Sequence, residues 1–229
     1  MEYKKLGTHT VFGNMDFYNC DCMKLLKQTP DKYYNIAITD PPYFSDYAKL
    51  TCPGNAISTT GVKRHRFEST HWEIPDKRYF DELIRVSKNQ IIWGINYYNI
   101  KNLGSGRIIW DKVNDDSSFS KAEIAYCSLH KSVQMVRCMW NGMLQGNMKE
   151  KEVRIHSTQK PVALYRWLLK HYAKEDDHIL DTHGGSMSIA IACHQMGFKA
   201  TICELDKKYF NSAMQRIEKE TRQEKLFNY

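Results

Sequence analysis

Followed along its apolar positions, the chain alternates short β-type runs with helical stretches. Asp16-Phe-Tyr-Asn-Cys20 precedes an amphipathic segment from Cys22 to Gln28, and the apolar run Asn35-Ile-Ala-Ile-Thr39 follows it. Beyond a long polar stretch lie a helical pattern over about 77–87 and two more strand-like runs, Gln90-Ile-Ile-Trp-Gly94 and Arg107-Ile-Ile-Trp-Asp111. Continuous apolar runs of strand length between helical patterns predict a mostly parallel sheet covered by helices. Residues 123–129 and 133–138 are two further strand-like runs with a short polar connection, expected to pair as an antiparallel hairpin at the sheet edge. Over 140–155 the period lapses, which predicts a short inserted loop. Order returns with a helix over 161–173, the strand His178-Ile-Leu-Asp181, the turn Thr182-His-Gly-Gly185, a helix over 186–196, a strand over 199–204 and a closing helix.

A chain of 229 residues with 42% hydrophobic and 26% charged positions has the proportions of one globular domain, 1–229, and not of a disordered chain. Its mean hydropathy is −0.59 and it offers neither a long apolar run nor a secretion signal, so a soluble cytoplasmic protein without membrane contact is expected. The seven cysteines are odd in number and scattered, which suits reduced thiols better than a disulfide framework. No paired CxxC spacing is present, and no metal site is expected. The net charge is +7, and its distribution says more than its size. The loop 44–72 carries four cations against two acids, and 131–160 carries six against two. Positive charge gathered on loops points to a polyanion, with nucleic acid foremost.

Three segments carry chemistry. The closing βαβ unit sets Asp181 before a glycine turn and Glu204 at the end of the next strand. In such a unit the glycines let a ligand approach the backbone, and the second acid can accept both hydroxyls of a ribose. No phosphate-cradling glycine motif is present, and Asp181 would repel a pyrophosphate. The pattern therefore favours a cofactor with a cationic amino group, S-adenosylmethionine, over NAD or ATP. The second segment is Asp40-Pro41-Pro42-Tyr43, directly after an apolar strand and so at the carboxyl edge of the sheet. Prolines stiffen this loop and leave its carbonyls as acceptors. The Asp40 carboxylate and Pro41 carbonyl could grip the two hydrogens of an exocyclic amine on a nucleobase, with Tyr43 stacked on the extruded ring. Third, His156-Ser-Thr-Gln-Lys-Pro161 stands just before a helix.

Together, in this order, the three segments resemble the β-class DNA amino methyltransferases, the adenine-N6 and cytosine-N4 enzymes. The resemblance runs from about residue 17 to 217 and is strongest to small methylases of phages and mobile elements. It implies an α/β, Rossmann-like S-adenosylmethionine-dependent fold with a circularly permuted motif order. It implies that Asp40, Pro41, Pro42 and Tyr43 grip the target base. The cofactor would be held by Asp21, Cys22, Asp40, Thr158, Gln159, Lys160, Asp181, His183, Gly184, Gly185, Ser186, Glu204 and Leu205, with Asp21 and Cys22 at its adenine and Thr158, Gln159 and Lys160 on its methionine carboxylate side. Thr182-His183 stand where the family has Pro-Phe, Met187 replaces a glycine and Ser157 a proline. The expected partner is double-stranded DNA, contacted through Lys63, Arg64, Arg66, Lys149, Lys151 and Arg154, with Asn141, Gln145 and Asn147 as candidate readers of sequence. The setting would be the cytoplasm of a bacterium or phage-infected host, in a restriction-modification context, as monomer or homodimer. The expected reaction is methylation of adenine N6. The same loop chemistry serves cytosine N4 or RNA, and a catalytically silent nucleic-acid-binding relative would keep the fold. A Pro-Cys dipeptide, the mark of cytosine-C5 enzymes, is absent.

Overall fold

A computed structural model of the chain describes residues 6–45, 72–115, 120–141, 144–149 and 151–224. Its main sheet has nine strands: β1 (Thr8–Phe12), β2 (Met15–Asn19), β3 (Tyr34–Thr39), β4 (Ser87–Trp93), β5 (Arg107–Asp111), β6 (Ala122–Cys127), β7 (Val133–Arg137), β10 (His178–Asp181) and β11 (Lys199–Glu204). Two short strands, β8 (Trp140–Asn141) and β9 (Leu144–Gln145), pair with each other inside the expected insert. The helices are α1 (Cys22–Gln28), α2 (Lys77–Val86), α3 (Val162–Tyr172), α4 (Ser188–Met196) and α5 (Lys207–Glu224). Among the described residues no helix is long and apolar enough to cross a membrane.

The strand order is β1-β2-β11-β10-β3-β4-β6-β5-β7, with β2, β11, β10, β3 and β4 all parallel. An antiparallel hairpin closes one edge, but β1 and β2 form it. The runs expected to pair there, 123–129 and 133–138, do not meet. Strand β5 lies between them, antiparallel to β6 and parallel to β7. A short connection thus suggested a hairpin where β7 instead crosses beyond β5 to extend the sheet.

Side chains of the central strands alternate between two cores, as the period of two requires. Ile36, Ile38, Ile91, Trp93, Ile179 and Ile202 pack under α3, α4 and α5. Ala37, Ile92, Leu180 and Cys203 face α1 and α2, where Leu25, Leu26, Phe80 and Leu83 are fully sequestered. Each large apolar side chain so buried contributes about 1.5–3 kcal/mol. Trp93 and Trp110 are buried edge to face, and half-buried Trp167 packs against the same cluster.

This topology decides where chemistry can gather. From β3 the chain continues through α2 to β4 on one side, and from β10 through α4 to β11 on the other. Adjacent β10 and β3 therefore bound a topological switch point, the crevice where ligands bind in open α/β sheets. Along that carboxyl edge stand, in order, Asp21, Glu204, Asp181, Asp40 and Gly94. A pocket of about 200 Å³ lined by Asn14, His194, Gly197 and Phe198 lies at the opposite end of the strands and holds none of them.

The insert is tied to the body by a buried ion pair. One oxygen of Glu152 accepts the Val162 amide at 2.9 Å, satisfying a free N–H at the start of α3. The other pairs with Arg216 of α5 at 2.7 Å, and that guanidinium also donates to Ser186 O and Ser188 Oγ, each at 2.9 Å. Removing one partner strands a buried charge. Glu152→Ala is expected to destabilise the fold by about 3–5 kcal/mol, read in urea unfolding as a lower midpoint at unchanged slope. Glu152→Gln, which can still accept the Val162 amide, should lose less.

Candidate active site

The turn after β10 is built around its acids. Asp181 is buried, and its Oδ1 accepts the His183 amide at 3.0 Å. Gly184 donates to Cys203 O at 2.8 Å, locking the turn onto β11. Gly185 takes the left-handed conformation at φ +51° and donates to Glu204 Oε2 at 2.7 Å, while Glu204 Oε1 accepts Asp206 N at 2.7 Å. Burial pushes Glu204 up to about 6 despite those amides. It pushes Asp181 up to about 7, with Asp40 and Glu204 adding repulsion. Three carboxylates converging on one crevice are chemistry for a cationic ligand, and the turn fits a cofactor carrying sulfonium and ammonium groups.

Across the switch point, Asp40 sits in a buried charge cluster. Lys160, with its side chain 3% exposed, pairs with Asp40 Oδ2 and lies 3.0 Å from Glu123 Oε2. Lys112 pairs with the other Glu123 oxygen at 2.5 Å. Two cations thus meet two carboxylates. Burial alone would raise Glu123, but Lys160 and Lys112 outweigh it and hold it near about 2. Asp40 is raised, chiefly by burial, with Lys160 opposing and Glu123 adding to the rise. Its Oδ1 is buried and has no hydrogen-bond partner among the described residues. Beside it, the Pro41 carbonyl accepts the Tyr98 hydroxyl at 2.7 Å, leaving one lone pair open.

The other expected residues divide. Ser186 lies buried at the glycine turn, its hydroxyl on that of Ser188. Asp21 reaches the same sheet edge, but its side chain caps α1 by accepting the Met23 amide at 2.9 Å, with Cys22 just behind. Gln159 is turned inward to bond Ile155 N and Val153 O, Thr158 bonds His156 Nδ1, and Lys160 faces Asp40. Leu205 is 71% exposed. Among the basic residues, Lys149 and Lys151 are exposed and Arg154 donates to Ser157 O, while Lys63, Arg64 and Arg66 lie outside the described residues. Gln145 cannot read a partner: it is buried, with its amide bonded to Glu152 O and its oxygen to Glu152 N. The insert needs that brace to close on itself. Motif reading passed over Glu123, Tyr79 and Tyr98. For Tyr98, its place just past a strand-ending glycine was the available signal.

A family model described as DNA methylase, for the N6 and N4 enzymes, matches residues 109–215. The chain is 24% identical to the type II methyltransferase M2.DpnII of Streptococcus pneumoniae, over 91% of each chain. It is 22% identical to the type II methyltransferase M2.LlaDCHI of Lactococcus lactis subsp. cremoris, over 90% of each. Among solved structures it resembles PvuII DNA methyltransferase, cytosine-N4-specific (TM-score 0.54, 13% identity, 95% of this chain and 92% of that one). It also resembles the M1.HpyAVI–SAM complex (TM-score 0.52, 19% identity, 88% and 99%). Over residues 109–215 the chain is thus similar to the N6/N4 DNA methylases.

Its departures from the methylase pattern have local compensations. Thr182 and His183 join a buried network: Thr182 Oγ1 lies 2.8 Å from Thr39 Oγ1, 2.6 Å from the Tyr79 hydroxyl and 3.0 Å from His183 Nδ1. Met187, where a glycine is the pattern, keeps the left-handed backbone at φ 52°. That conformation costs an ordinary residue roughly 1–2 kcal/mol, which complete burial of the Met187 side chain in the core offsets.

The raised acid makes a pH prediction. Because folding lifts Asp181 from 3.8 to about 7, the folded state holds its proton more tightly, so its contribution to stability fades as pH rises from about 4 to about 7. Neutral buried His156 and His183, each lowered to about 4, act oppositely as pH falls below 6.5. Comparison with Asp181→Asn isolates the acid. The stability of the variant relative to wild type should rise by a few kcal/mol between pH 4.5 and pH 7.5, measured by urea unfolding without ligand.

Proposed function

We propose that the protein transfers a methyl group from S-adenosylmethionine to the N6 amine of adenine extruded from duplex DNA. The observation that carries this reading is the buried Asp40 Oδ1, unpartnered among the described residues, beside the half-used Pro41 carbonyl: two fixed acceptors at the crevice where β10 and β3 diverge. S-adenosylmethionine supplies the methyl group when bound. Glu204 is the residue to receive its ribose hydroxyls, and Asp181 with the turn from His183 to Ser186 would face its cationic end. Asp40 and Pro41 hold the two amine hydrogens, which draws the nitrogen lone pair out of the ring and toward the methyl group. Because the geometry precedes the reaction, its electrostatic benefit needs no reorganisation. Lys160 keeps Asp40 in place without spending the oxygen that the amine needs. Aspartate at the head of the loop supports adenine, since the cytosine-N4 enzymes that the chain resembles often carry serine there.

Incubation with duplex DNA and labelled S-adenosylmethionine, followed by digestion to nucleosides, should yield N6-methyladenine. N4-methylcytosine would shift the target base, and the absence of any methylated base would refute the proposal. Asp40→Ala should cut transfer by about a hundredfold or more with the fold retained, because Lys160 keeps Glu123 as its counter-ion. For binding, Lys149→Gln and Lys151→Gln should each lower the slope of log K against log salt by about 0.9, measured by titration of nonspecific duplex.

A further inference from the structure

The segment from Gly94 to Tyr98 touches the Asp40–Tyr43 loop in three separate ways, and no motif accounts for it. Gly94 ends β4 in the left-handed conformation, φ +68°, and a Cβ there would meet Tyr43 Cδ1 at 2.5 Å. The Tyr43 ring therefore rests directly on backbone. Three residues on, the ring of Tyr97 lies parallel to that of Tyr43 with centroids 4.4 Å apart and an interplanar angle of 4°. Phe44 meets both rings edge-on, at 4.9 and 5.1 Å. Tyr98 then donates its hydroxyl to the Pro41 carbonyl at 2.7 Å.

Tyr97 is 50% exposed, and buried Ile95 is what anchors the turn. A half-exposed aromatic laid flat on the residue expected to stack on the base is therefore not held there by the core. We propose that this turn is the second wall of the target-base site, with Tyr97 taking the face of the extruded purine opposite Tyr43 and Tyr98 aiming the Pro41 carbonyl. The inference rests on the reading of Asp40–Tyr43 as the amine grip. A flat heteroaromatic ring entering between the two tyrosines must part them to about 7 Å, stacking distance on each side. The Tyr43 ring is packed on the Gly94 backbone. The displacement falls on Tyr97, which sits on a short exposed turn. Until a base arrives, the two rings cover each other's apolar faces.

The test measures kcat and KM on methylatable duplex for wild type, Tyr97→Ala, Tyr97→Phe and Tyr98→Phe. Loss of one stacking partner should lower kcat/KM about ten- to a hundredfold in Tyr97→Ala, with affinity for S-adenosylmethionine and thermal midpoint unmoved. Tyr97→Phe, which keeps the ring, should restore most of that loss. Tyr98→Phe should lower kcat by several-fold at unchanged KM, as expected of a positioning residue that acts through Pro41. Tyr97→Ala within twofold of wild type, or Tyr97→Phe as impaired as Tyr97→Ala, would overturn the second wall while leaving the methyltransferase reading intact. Wild-type protein that methylates no duplex would instead refute that reading, and the wall with it.

Discussion

A lysine ammonium shut away from water must be matched by negative charge, and the Lys160 ammonium obtains it from two carboxylates that the chain supplies far apart. Asp40 arrives from the end of β3 and Glu123 from β6, the strand that runs against its neighbours. Desolvation of each ion costs several kcal/mol, so each is tolerable only with an opposite charge in contact. The loop, the antiparallel strand and the segment leading into α3 are thereby held to one arrangement. Lys112 completes the neutrality of the cluster and lets Glu123 serve as a fixed anion. Because Lys160 engages only one oxygen of Asp40, the other is buried without a partner among the described residues. The ion pair that anchors Asp40 thus also sets free the acceptor on which the proposed reaction rests.

A second tension acts on the cofactor side. Asp181 and Glu204 are both raised by burial; Asp40 and Glu204 add repulsion at Asp181, and Asp206 adds it at Glu204. Backbone amides from His183, Gly185 and Asp206 relieve part of this. What remains is an excess of negative potential in a crevice, which a sulfonium and an ammonium would neutralise.

Much of this was legible in the sequence, and the parts that were not share a cause. The parallel strands and their helices announced themselves because both faces of each strand are covered, which leaves unbroken apolar runs. Strand β1 did not, since its residues are mostly exposed and its pattern is polar. The order of β5, β6 and β7 was misread because length and hydropathy say nothing about which neighbour a strand selects. Asp40, Asp181 and Glu204 were found at the strand ends where chemistry requires them. Lys160 was found as part of a motif, yet its ion pair depends on Glu123, a residue that in the sequence looks like the polar start of an edge strand. Gln145 looked available because its burial is a property of the folded insert alone.

Strands β10 and β3 are hydrogen-bonded neighbours, with Ile179 opposite Ile36 and Leu180 opposite Ala37. Asp181 closes β10, and Asp40 follows β3 two residues beyond the position opposite it, so their separation is set by strand pairing, about 4.8 Å across the sheet and about 3.3 Å per residue along it, and not by any long loop. This separates the molecule into a part that cannot drift and a part that can. The span between the two acids is inherited from backbone pairing in the middle of the core, whereas the described residues of 140–155 form no part of the main sheet and are braced by the Glu152–Arg216 pair, the Trp140 amide on Lys112 O and the Ile155 amide on Gln159. Change within that insert leaves the spacing of the acids as it is, so the two parts of the molecule are free to diversify at different rates.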